Sequence, residues 1–181
     1  MQEENPTPSE KVAALRQFFV SPPPKKGKHH RILVFGTFDI IHPAHLRFLT
    51  EARVATNCPD CELVVVLSRD SSIERIKGRK PIFSEEQRLK LISGLRLVDY
   101  ACLGNEGTDH FRIILDIEPD YIVLGYDQLL EERPLLEFIQ RHQLQTKVLR
   151  LPKFESGDLC SSSEVRKKVL QMYNSEKEKA I

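Results

Sequence analysis

The run His42-Pro43-Ala44-His45 sets two imidazoles three residues apart with a proline between them. Proline suits the first position of a helix, where its missing N–H has no partner and its φ is already helical. That assigns His42 to the N-cap and His45 to the first turn, so both rings can turn to one helix end. The same end carries open backbone N–H groups and the positive pole of the helix dipole, which favour anions. Two imidazole donors there suit phosphate oxygens. A metal pair is a second chemistry for two histidines, but no third ligand is apparent and the dipole would repel a cation. A plain helix cap with two half-exposed rings also accommodates the spacing.

Two further runs carry anion chemistry. Ser161-Ser162-Ser163 follows a Gly157-Asp158 turn and precedes Arg166. With Ser162 as the N-cap, Arg166 falls one turn on, so hydroxyls, amides and a guanidinium meet at one helix end. Simple capping uses the same residues. Lys77-Gly78-Arg79-Lys80-Pro81 is a cationic loop around a glycine, followed by Arg88. Charge runs are commonly solvated faces, and this one gains meaning only from its place after a strand. There is no Walker A sequence, no GxGxxG, and no Ser-His-Asp or Cys-His set at a familiar spacing. The three runs together point to a polyphosphate handled without a covalent intermediate.

The elements that must position these runs alternate in period. RILVFG, beginning at Arg31, is a continuous apolar run like a strand buried on both faces. Pro43–Ala55 reads as a helix, Glu62–Leu67 as a second strand and Arg69–Ile76 as a short helix. Ser84 and Gln87 form a capping box for a helix to Leu95. Val98–Leu103 is a third strand, Asp109 caps a helix to Asp116, and Tyr121–Leu124 is a fourth strand. Glu131–His142 is helical, Thr146–Leu151 is the fifth strand, and a last helix covers 162–173. This alternation implies an α/β fold with a doubly wound, five-stranded parallel sheet. In the order 3-2-1-4-5, the ligand crevice lies at the carboxyl ends of strands one and four. GTFDIIHPAH and GYDQ then face each other across it.

Residues 1–30 differ from this body. Glu10–Val20 has a short helical pattern with Val12, Leu15, Phe18 and Phe19 on one side, and SPPPKKGKHH reads as an extended linker. The expected organisation is this appended helix and linker, a domain over 31–174, and a polar tail over 175–181. The chain has 181 residues with 27 basic and 26 acidic side chains, a net charge of +1. That balance argues against general nucleic-acid binding. Leu63–Leu67 is far too short to cross a bilayer, and MQEENPTPSE has neither the basic nor the apolar region of a secretory leader. A cytoplasmic setting, with no membrane partner, is therefore expected. Cys58 and Cys61 form a CPDC pair, while Cys102 and Cys160 stand apart. A structural zinc commonly needs two such pairs, and a redox CxxC opens a helix rather than preceding a strand. Free thiols are expected.

GTFDIIHPAH resembles the GTFDxxHxGH signature of the cytidylyltransferase-like nucleotidyltransferases. SSSEVR is similar to the second motif of that superfamily, and with the basic loop and EEQRLKLI the resemblance spans residues 31–170. The KGRKPI loop, LGYDQ and DLCSSS most resemble archaeal-type FAD synthetases, which transfer AMP from ATP to FMN. The resemblance implies that His42, His45, Lys77 and Arg79 act on the triphosphate. It implies that Ser161, Ser162, Ser163 and Arg166 hold its β/γ end, with Arg88 a further phosphate or loop-orienting contact. Gly125, Tyr126, Asp127 and Gln128 would surround the base. Gly36, Thr37 and Phe38 would line the acceptor side, with Asp39 ordering the turn. Mg²⁺ would travel with the triphosphate, with no protein metal site, and a homodimer is one expected assembly. Sister families use CTP with glycerol 3-phosphate or phosphoethanolamine. Ala44 departs from the family's glycine, where a methyl crowds the nucleotide or is absorbed by a small shift. That departure leaves a degenerate, non-catalytic nucleotide-binding protein as another reading.

Overall fold

A computed structural model describes residues 30–58, 60–107, 109–126, 128, 132–154 and 159–179. The amino-terminal helix and linker expected before His30 lie outside the described residues, as do Asp127 and the Gly157-Asp158 turn.

The chain order is β1 (Arg31–Gly36), α1 (Pro43–Ala55), β2 (Glu62–Leu67), α2 (Asp70–Lys77), α3 (Glu85–Ser93) and β3 (Tyr100–Leu103). Then follow α4 (Ile113–Ile117), β4 (Tyr121–Leu124), α5 (Glu132–Arg141), β5 (Lys147–Arg150) and α6 (Ser162–Lys179). The five strands form one sheet in the order β3-β2-β1-β4-β5, and every pairing is parallel. Alternation along each strand divides the core in two. Ile32 and Val34 of β1 join Leu63, Val65 and Leu67 of β2 under α1 and α3. Leu33, Val64 and Val66 point the other way and meet α4 and α5. Both faces are covered, so the inner strands read as unbroken apolar runs.

The order matters most beside β1. Its pairing with β4 ends at Val34↔Val123, while its pairing with β2 continues to Gly36↔Leu67. Beyond Val34 the two central strands part and a crevice opens at their carboxyl ends.

Several expectations change in detail. β3 starts at Tyr100 rather than Val98, because the Val98 N–H turns back to the Leu95 carbonyl at 2.9 Å. α4 starts at Ile113, and Asp109 caps the turn before it by accepting from the Arg112 N–H at 3.2 Å. α6 runs to Lys179 instead of ending near Tyr173. The capping box on α3 is as read, with Ser84 and Gln87 bonded reciprocally. Cys58 and Cys61 are joined by a disulfide rather than free. The turn between α1 and β2 brings their Cα atoms to 5.4 Å, within bridging range. Cys102 and Cys160 are free, and burial pushes the Cys102 thiol up to about 12.

Candidate functional site

β1 ends on a turn that only its own residues permit. A Cβ on Gly36 would stand 2.3 Å from Phe38 Cε2, so the Phe38 ring lies where any side chain at 36 would be. Phe38 is held in the left-handed region at φ 50°, a strained setting for a bulky residue. Its ring is buried and sits 4.9 Å from the His45 ring, centroid to centroid. The left-handed turn thus seats an aromatic platform against the imidazole.

Three neighbours fasten this turn. The Ser68 N–H donates to the Gly36 carbonyl at 3.0 Å. Arg88 Nη1 donates to the Thr37 carbonyl at 2.7 Å. Asp39 Oδ1 accepts from the Ile82 and Phe83 N–H groups at 2.7 and 3.0 Å. The other Asp39 oxygen is paired with Arg166 Nη2. One buried carboxylate therefore ties the β1 turn, the end of the basic loop and α6 at Arg166. These filled lone pairs make Asp39 an anchor for the surrounding segments. Arg88 is fully buried. Its remaining bonds go to Phe83 O, Ser68 O and Asp70 Oδ1. It stays behind the cleft wall and orients the loops.

His42 occupies the N-cap of α1 with extended backbone, followed by Pro43. The His45 N–H returns to the His42 carbonyl at 2.9 Å. Pro43 has no N–H, so the open amide of this first turn belongs to Ala44. The two imidazoles stack with centroids 3.7 Å apart. Burial, and then the nearby His42, lower the His45 pKa to about 3. His45 is thus a neutral N–H donor through the physiological range, and an anion beside it would favour the charged form. Lys77 Nζ donates to Thr37 Oγ1 at 3.2 Å. Burial and then Arg79 shift Lys77 towards its neutral form, which an arriving phosphate would likewise reverse.

These groups line one cleft of about 1130 Å³, roomy against the roughly 300–1,000 Å³ of a common ligand site. It brings together Gly36, Thr37, Phe38, Asp39, His42, Ala44, His45, Lys77, Arg79, Gly125, Tyr126, Gln128 and Ser161–Ser163. Arg166 lies at its edge through Asp39. Ser161, not Ser162, caps α6. Its hydroxyl accepts from the Glu164 N–H at 3.1 Å, while the Glu164 carboxylate accepts from the Ser161 and Cys160 N–H groups at 3.1 and 2.7 Å. The signal was present in the sequence as Ser-x-x-Glu.

At the parting of β1 and β4, Gln128 Nε2 donates to the Phe35 carbonyl at 2.5 Å. Arg150 holds the same loop from β5, donating to Gly125 O at 2.8 Å and Gln128 O at 3.4 Å. Tyr126 is half exposed, with Lys153 Nζ 5.9 Å from its ring centroid. Arg47 stands 4.9 Å over Phe154, and Phe48, Ile73 and Ile76 also line the cleft. Sequence reading missed Arg47, Lys153 and Phe154. The available signal was position alone: Lys153 and Phe154 lie within four residues after β5, at the ligand-bearing end of the sheet. Among the described residues no group of three or more His, Cys, Asp or Glu side chains is arranged to hold a metal ion.

Residues 33–168 match the family described as cytidylyltransferase-like. The chain is 44% identical over 146 residues to an FAD synthase of Methanohalophilus mahii, an alignment covering 81% of this chain and 98% of that relative. It is 40% identical over 145 residues to an FAD synthase of Archaeoglobus profundus, covering 80% and 89%. A crystal structure of a lipopolysaccharide core biosynthesis protein from Thermoplasma volcanium superposes with a TM-score of 0.62 at 40% identity, covering 70% of this chain and 98% of that one.

Proposed function

The chain belongs to the cytidylyltransferase-like family, and from that premise we propose that it transfers AMP from ATP to FMN, forming FAD and releasing pyrophosphate. The observation that carries this reading is convergence. Two histidines after β1, the basic loop after α2 and the serines opening α6 line one cleft, and the relatives similar along nearly their whole length are FAD synthases. The named residues extend the reading to the site itself.

The FMN phosphate oxygen attacks the α-phosphorus in line, the bond from that phosphorus to the bridging oxygen breaks, and pyrophosphate leaves. Such transfers depend on positioning and charge stabilisation rather than covalent help. His42, His45 and the Ala44 amide meet the α-phosphate, where charge develops. Lys77 and Arg79 draw on the β-phosphate and the departing pyrophosphate. Ser161–Ser163, with Arg166 beside them, hold the γ end. Gly125, Tyr126 and Gln128 border the base, and Phe48 and Phe154, which line the cleft, suit a flat flavin ring. The donor set of the cleft, imidazole, ammonium and hydroxyl, fits phosphate. Mg²⁺ bound by phosphate oxygens and water would offset the triphosphate charge. A cytoplasmic setting belongs to the same proposal, since multiply charged phosphorylated substrates do not cross membranes unaided.

The test crosses ATP and CTP with FMN, glycerol 3-phosphate and phosphoethanolamine, reading pyrophosphate release. Turnover with ATP and FMN is expected. Turnover only with CTP and a phosphoalcohol would keep the reaction type and overturn the substrates. Nucleotide binding without turnover in any pair would make the protein a binding protein. Ala44→Gly should be neutral or raise the rate.

A further inference from the structure

The reaction proposed above brings two anions into one cleft. A triphosphate and the phosphate of the acceptor must come within bonding distance, and their charges repel each other on the way. Each therefore needs a cation of its own. Among the described residues four lysine and arginine side chains line the cleft: Arg47, Lys77, Arg79 and Lys153. Lys77 ends α2 and reaches Thr37, with Arg79 two residues on, and this group serves the triphosphate. Lys153 stands beside the Tyr126 ring, where the base is held. Arg47 is the cation left over.

Its place on α1 suits the second anion. Ala44, Arg47 and Phe48 all line the cleft, and at i, i+3 and i+4 they share one face of the helix. Ala44 carries the amide set against the α-phosphate. Arg47 lies one turn on, about 4.5 Å along the axis. Side chains on a helix lean towards its amino end, so the Arg47 arm serves the turn that holds Ala44. Its guanidinium stands 4.9 Å over Phe154, one of the rings that suit the flavin. Its carboxylate neighbour, Glu51, is 3.8 Å from Nε in a half-exposed pair. Such pairs hold weakly and yield to a phosphate dianion. The planar fork of a guanidinium can hold two phosphate oxygens and leave the third to attack.

We propose that Arg47 binds the phosphate of the acceptor and sets it beside the α-phosphorus, an assignment that rests on the reading of the reaction given above. Arg47 is then the residue that selects a phosphorylated flavin over an unphosphorylated one. Phe154 beneath it joins the two halves of the acceptor site, charge for the phosphate and an aromatic face for the ring.

Flavin fluorescence titration of the full chain tests this, with FMN and with riboflavin, in the presence of Mg²⁺ and a non-hydrolysable ATP analogue. Wild type should prefer FMN. Arg47→Gln, which keeps a polar side chain without the charge, should lose about tenfold or more of that preference while riboflavin affinity stays unchanged. Arg47→Lys should recover part of it. In steady-state kinetics the KM for FMN should rise in Arg47→Gln and the KM for ATP should not. An undiminished preference for FMN in Arg47→Gln overturns the assignment. So does a raised KM for ATP with an unchanged KM for FMN, which would return Arg47 to the triphosphate. Wild type that binds neither flavin fails differently: it overturns the flavin reading itself, and the assignment with it, before any variant is compared.

Discussion

His45 is where the chemistry of the site is most concentrated. Its ring is stacked on His42, supported by Phe38 and kept neutral by burial, with a pKa of about 3. A neutral donor held in place before the substrate arrives needs no reorganisation when charge builds on the α-phosphate. His45→Ala should therefore lower kcat by about 10²–10³, or about 2.7–4 kcal/mol of transition-state stabilisation. Steady-state kinetics at saturating ATP and FMN check it, and wild-type kcat in a folded variant would remove His45 from the mechanism. The same burial has a thermodynamic sign. The unfolded chain binds a proton at His45 below about pH 6.5, whereas the folded chain resists it down to about pH 3. Stability contributed by this group is present above pH 6.5 and is lost as pH falls through that window. Urea unfolding at pH 7.5 and pH 5 should show a smaller acid loss in His45→Asn than in wild type. The histidine pair was legible because its spacing around a proline is local. The carboxylate of Asp39 was legible only as a turn residue. Its partners at 82, 83 and 166 are distant in sequence, and nothing in the local pattern marks them.

At the scale of elements, the site depends on joints between segments. Arg88 is the clearest joint, a buried guanidinium on α3 that ties the β1 turn, the end of β2 and the start of α2 through Thr37, Ser68 and Asp70. Removing it leaves three backbone carbonyls and one oxygen of the Asp70 carboxylate without this donor. Arg88→Met should destabilise the fold by about 3–5 kcal/mol, seen as a lower urea midpoint at unchanged slope. A near-neutral effect would mean that these loops are held by something else. Arg150 plays the equivalent part for the Gly125–Gln128 loop. The helices and strands themselves were legible because their periods are strong and their caps local. Boundaries moved where a tight turn outweighed the strand pattern, as at Val98 with its bond back to Leu95, or where a polar tail continued a helix, as in α6. The disulfide was missed because a CPDC spacing is equally compatible with two thiols; only the turn between α1 and β2 decides that the Cα atoms come close.

For the whole molecule, the sheet order decides function. Because β1 lies between β2 and β4, the crevice at its carboxyl end collects segments that are far apart in the chain. Unbroken apolar strands alternating with helices made a parallel sheet covered on both faces readable; the order 3-2-1-4-5 entered the sequence reading only as a condition, and the structure has it. The apolar lining of the cleft was not readable, because Phe48, Phe154 and Ile76 belong to different segments that come to line one cleft only after folding. Among the described residues no helix is long and apolar enough to cross a membrane. The central claim is that a flavin phosphate attacks the α-phosphorus of ATP. The most direct measurement follows label from ATP marked at the α- or the γ-phosphorus in a reaction with FMN and Mg²⁺. The α label should appear in FAD and the γ label in pyrophosphate, in equal amounts. A γ label carried into a flavin product, or ADP formed while FMN persists, would contradict the account.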